Sequence, residues 1–104
     1  MAKFVLAYRG GSMGENESDQ QAQMELWGNW FGALGSAVVD PGSPFGSART
    51  ITSSGADAEG GSAGLTGYSI LETADLEEAV AKAKGCPVLG AGGTVEVYES
   101  LPIG

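Results

Sequence analysis

The chain has 104 residues and a formal net charge of −8, from 13 acidic and 5 basic side chains, with no histidine. Its 42% hydrophobic and 17% charged content is that of one globular domain with a small core, read as a single domain over 1–104. Scattered cations argue against nucleic acid or an anionic membrane surface as a partner, and no apolar run approaches the roughly 20 residues that span a bilayer.

Residues 3–8 read as a strand. Their apolar run is continuous rather than alternating, as in a strand buried on both faces or set at the sheet centre. The run is too short for the apolar region of a signal peptide. Arg9-Gly10-Gly11-Ser12-Met13-Gly14 breaks it. Glycines after a strand resemble a phosphate loop, but the Walker lysine and hydroxyl are missing and no helix follows directly, so a mobile loop is expected. A helix begins at Ser18 as cap, with Gln21 as its capping-box partner and Asp19 at the positive end. Met24, Trp27, Phe31 and Leu34 recur at helical spacing, widened by Leu26 and Trp30. That stripe reads as core or dimer interface ahead of a ligand box. Gly28 and Gly32 each lower helix propensity by about 1 kcal/mol relative to alanine, which a close approach of another backbone or a ligand would explain. Gly35 ends the helix.

Ala37-Val38-Val39 and residues 48–53 read as two pieces of one edge strand. Between them lies Asp40-Pro41-Gly42-Ser43-Pro44-Phe45-Gly46, stiffened by two prolines and shaped by two glycines. Residues 54–64 are rich in Gly, Ser and Ala, with two acids, and are expected to be a flexible hairpin-tip loop. Residues 67–72 form the next strand. Asp75 caps a second helix with Glu78 as box partner, and Leu76, Ala79, Val80 and Ala83 make its narrow apolar face. Gly85 stops it, and Cys86-Pro87-Val88-Leu89 is a tight connector. Residues 93–99 form the last strand, with Val95 and Val97 on one face and Glu96 and Tyr98 on the other. The order is βαββαβ. It implies an α+β, ferredoxin-like fold with an antiparallel sheet and two helices on one face.

Lacking histidine, a metal site reduces to carboxylates, and Glu15, Glu17 and Asp19 read as a solvated acidic stretch. No metal or cofactor is expected. Cys86 reads as a buried structural thiol, and a lone cysteine fits a reducing, cytoplasmic compartment. Asp40 stands at a strand end on a stiff loop. It is either a turn residue satisfying backbone N–H groups or a mounted functional carboxylate. Tyr8, Arg9, Asp40 and Tyr68 come from strands or strand ends that could meet in one cleft, with Phe45 beside them. There Arg9 would hold an anionic small molecule and a tyrosine would donate a proton. The same residues could equally line a dimer interface.

Several stretches, in order, resemble the YCII-related, DGPF-type family. They are Lys3-Phe4-Val5-Leu6-Ala7-Tyr8-Arg9-Gly10-Gly11, Trp27-Gly28-Asn29-Trp30, the 40–46 loop, Gly67-Tyr68-Ser69-Ile70-Leu71, Gly85-Cys86-Pro87 and Gly92-Gly93-Thr94-Val95-Glu96-Val97. The resemblance runs over nearly the whole chain. It implies a dimeric α/β barrel in which two sheets face each other, hence a homodimer. Most of that family has no established activity, and a minority act on small ring compounds with a His–Asp pair. This chain keeps Asp40 but has Val88 where many relatives place the histidine, so an Asp–His base is absent. Two functions follow. One is a small dimeric binding or accessory protein that holds a small molecule. The other is a cofactor-free isomerase or lyase acting on a small ring compound with Asp40 as general base.

Overall fold

The computed structural model describes residues 1–12, 14–55, 57–60 and 64–103, and of 57–59 the backbone alone. In chain order its elements are β1 (Ala2–Arg9), α1 (Glu17–Leu34), β2 (Val38–Asp40), β3 (Arg49–Ile51), β4 (Asp57–Glu59), β5 (Leu65–Thr73), α2 (Leu76–Ala83), α3 (Pro87–Gly90) and β6 (Thr94–Ser100), with a 3-10 turn at Gly35–Ala37. Four strands form an antiparallel sheet of order β2-β5-β1-β6. This mixed α+β arrangement is compatible with a ferredoxin-like fold.

The apolar run of β1 takes the centre of the sheet. Alternation sends Phe4, Leu6 and Tyr8 to the face that the helices cover, where all three are buried. There Leu6, Tyr8 and Leu71 pack with Trp30 of α1, Ala83 of α2, Cys86 and Val88 of α3. The opposite face carries Val5, Ala7 and Arg9, and the register sets Tyr68, Ile70, Glu96 and Tyr98 beside them. Among the described residues the helices pack on the other face, and on this one Phe45 stacks on Tyr68. The molecule is accordingly 18 Å thick and 44 Å in its other two dimensions.

Local chemistry explains most element ends. The α1 cap is Asn16, not Ser18: its Oδ1 accepts from Asp19 N at 2.9 Å, and the helix is already under way at Glu17. Asp75 caps α2 as its spacing predicts, accepting from Glu78 N at 2.8 Å. Trp30 ties the two helices together, its indole N–H donating to Lys82 O at 3.2 Å. The 86–89 connector is a third short helix, α3, with Pro87 in its first turn, where a missing N–H costs nothing.

The edge strand is where the sequence misleads. β2 pairs with β5, but β3 does not rejoin that sheet; it pairs with β4 in a separate two-stranded ladder. Pro44 and Phe45 hold the last contacts with β5, through a bridge to Gly67 and a 2.9 Å bond from Phe45 N to Thr66 O. The chain then leaves the sheet and turns back at Gly55 (φ 87°), whose N–H donates to Thr52 O. The 54–64 stretch thus contributes strand β4; its residues 56 and 61–63 lie outside the described residues. The projecting ladder fits a radius of gyration of 15.0 Å, against about 13 Å for a compact chain of this length.

Candidate functional site

Rings hold α1 off the sheet. Trp27 lies edge-on to Tyr8 (centroids 5.1 Å) and to Trp30 (5.8 Å), and Phe31 lies 5.0 Å from Trp30 and 5.9 Å from Trp27. Beside this aromatic spacer a cleft of about 600 Å³ opens between α1 and the end of the sheet. Its helix wall is Gln23, Met24, Trp27 and Phe31. Tyr8, Thr66, Gly67 and Tyr68 come from the sheet, and the remaining sides come from the 10–12 loop, the 41–44 loop, Val88 and Ala91. The volume suits a small molecule.

The 41–44 wall is fixed from below. Tyr8 OH donates to Ser69 Oγ at 2.7 Å, and Ser69 Oγ donates to Pro41 O at 2.7 Å. Both side chains are buried, so the relay satisfies polar atoms that would otherwise be costly. Burial pushes the Tyr8 hydroxyl well above its ordinary range, with its hydrogen bond to Ser69 opposing the shift. Burial likewise pushes the neighbouring Cys86 thiol up to about 11. Neither group is poised to ionise near neutral pH.

Asp40 has its two oxygens engaged. Oδ1 accepts from Gly42 N at 2.8 Å, an Asx turn, and Oδ2 accepts from Tyr68 OH at 3.1 Å. The bonded carboxylate raises the Tyr68 phenol above its ordinary value. Phe45 stacks on Tyr68 with centroids 5.8 Å apart. Gly42 has φ 73°, and a Cβ there would collide with the Tyr68 carbonyl oxygen. The glycine therefore lets the loop lie against β5.

The five candidate residues do not meet in one cleft. Tyr8 is in the cleft wall, while Arg9 points to the opposite face because adjacent strand residues alternate. Arg9 Nε lies 3.0 Å from Glu96 Oε1, in an exposed ion contact without good hydrogen-bond geometry. Asp40, Tyr68 and Phe45 form a second group, linked to the cleft through the backbone of the 41–44 loop and Tyr68 itself. The period-two alternation of a strand is by itself enough to put Tyr8 and Arg9 on different faces. The helix wall carried the signal of its 3.6 period, yet periodicity alone does not distinguish a core stripe from a cleft wall. Gly28 and Gly32 have no close neighbour among the described residues; a Cβ at either would meet open space.

Among the described residues no group of three or more His, Cys, Asp or Glu side chains could hold a metal ion, and no helix is long and apolar enough to cross a membrane. No family model matches the chain, and no curated protein matches it in sequence.

Proposed function

We propose that the chain is a small binding protein of the YCII-related kind, working as a homodimer and holding a small molecule in the cleft between α1 and the sheet. The observation that carries this reading is the cleft itself: about 600 Å³, walled by Tyr8, Trp27, Phe31 and Met24. One side of its wall is the 41–44 loop, stiffened by Pro41 and Pro44 and tied to Ser69 through Pro41 O, so it needs little reordering on binding. The dimer reading rests on the uncovered sheet face, where Val5, Ile70 and Tyr98 lie together, as the sheet-to-sheet pairing of a dimeric α/β barrel requires. Asp40 is a loop fastener in this reading. A general base must reach substrate, and Asp40 is not among the residues that line the cleft; its oxygens accept from Gly42 N and Tyr68 OH and hold the loop.

Naphthalene, neutral and apolar, is a direct probe. In amide-resolved NMR at pH 7 it should shift Gly10, Gly11, Gly42 and Gly67, which surround the cleft. Shifts confined to β6 and the uncovered face, or none at all, would place binding elsewhere. Met24 is exposed at the cleft mouth, so Met24→Glu should weaken the probe several-fold without unfolding the chain.

A further inference from the structure

We infer that the cleft selects a neutral, flat ring molecule carrying one hydrogen-bonding group, and that Gln23 reads that group; this rests on the cleft being the binding site. Three observations specify the ligand. The first is charge. Among the described residues that line the cleft none is Asp, Glu, Lys or Arg. An ion entering it would lose water and gain no counter-charge, which is costly in an apolar site. The second is the state of the rings. Trp27 is already packed against Tyr8, Trp30 and Phe31, at centroid distances of 5.1 to 5.9 Å. What they leave is an apolar wall suited to a flat hydrocarbon surface.

The third observation is Gln23. It lies in the wall of the cleft and of a smaller adjoining cavity beside Ser12 and Asp19. Its Oε1 is buried and has no hydrogen-bond partner among the described residues, so a ligand group meets it once the amide turns toward the cleft. A buried unsatisfied amide oxygen costs free energy that a ligand group can recover. A hydroxyl both donates and accepts, so it satisfies the amide whichever way the amide is turned. Tyr8 OH has given its one donor to Ser69 Oγ and is buried, so it offers a ligand no donor.

The test compares four bicyclic probes at pH 7 by calorimetry, with amide shifts to locate each. They are naphthalene, 2-naphthol, 2-naphthoate and the cation of 2-(aminomethyl)naphthalene. Expected is 2-naphthol tightest, by about tenfold over naphthalene, the effect of one net hydrogen bond. Both ions should bind more weakly than 2-naphthol. Gln23→Leu keeps the bulk and removes the amide, and should shrink the naphthol preference, read as the naphthol-to-naphthalene affinity ratio within the variant, to about twofold or less. Equal affinity of naphthol and naphthalene overturns the inference, as does either ion binding tightest or an undiminished naphthol preference in Gln23→Leu. If none of the four shifts the cleft amides, the binding reading itself falls, a result distinct from a cleft that binds without preference.

Discussion

Asp40 separates a structural carboxylate from a reactive one by the arithmetic of its bonds. Asp40→Asn keeps an acceptor for Gly42 N and offers Tyr68 an amide instead, so it should cost less than about 1 kcal/mol. Asp40→Ala removes both bonds and should cost about 1–3 kcal/mol. Paired thermal melts check the ordering; an Asn variant as damaged as the Ala variant would show that the charge itself matters. Gly42 makes a sharper case. Gly42→Ala combines a positive φ with a collision on the Tyr68 carbonyl and should cost about 3 kcal/mol or more, whereas Gly46→Ala, with open space around its Cβ, should be near neutral. Denaturant titration of the two variants reads the difference. Titration behaviour follows from the same burial. Tyr8 and Cys86 both have folded-state values raised above their unfolded ones, so each favours the fold below its unfolded value and loses that contribution as pH rises through the folded one. For Cys86 that window runs from 9.0 to about 11. Melting temperature should therefore fall from about pH 9 upward, and Cys86→Ala should flatten the first part of the fall.

At the scale of the element, α1 is the test case. A Cβ at Gly28 or Gly32 meets nothing within 4 Å. Gly28→Ala and Gly32→Ala should therefore each stabilise the chain by about 0.5–1 kcal/mol through helix propensity alone. A loss of stability on raising protein concentration, seen only in the variants, would instead place a second copy on that strip. The element order was legible in the sequence because these signals are local: β1, α1, β5, α2 and β6 stand where apolar runs, alternation and the 3.6 period put them. The α1 cap moved to Asn16 because a side chain two residues upstream had the better geometry, a choice that composition cannot rank. The β3–β4 ladder was illegible for a different reason. Pairing partners are chosen by non-local geometry, and Arg49–Ile51 carries no pattern that says which edge it joins. The cleft was half legible. Asp40, Gly42 and Pro44 announced a stiff loop, but whether α1 rests on the sheet or stands off it depends on how the rings of α1 interlock with Tyr8 of β1.

For the whole molecule, one uncovered sheet face and a projecting two-stranded ladder are both poorly stable alone. Association of two copies through that face would hide Val5, Ile70 and Tyr98 together. Sedimentation at micromolar concentration should give about twice the 10.5 kDa chain mass. Ile70→Arg should yield a folded monomer, because Ile70 is half-buried on the uncovered face rather than in the helix-side core. A wild-type monomer at that concentration would leave the face open and remove the barrel pairing. The cleft lies on the other side of the sheet, so the monomeric variant should bind naphthalene as the dimer does.

The two tryptophans give this protein optical behaviour of its own. Their indole rings stand 5.8 Å apart and nearly perpendicular, one in the cleft wall and the other buried with its N–H on a backbone carbonyl. Chromophores that close exchange excitation and produce a coupled circular dichroism band that neither would show alone. Both rings belong to α1, so the band reports how their side chains are held against each other, and it vanishes when the rings disengage even if the helix persists. Emission divides the other way. An occupant of the cleft meets Trp27 and not the buried Trp30, and because the rings exchange excitation it quenches or shifts the emission of the pair while the coupled band persists.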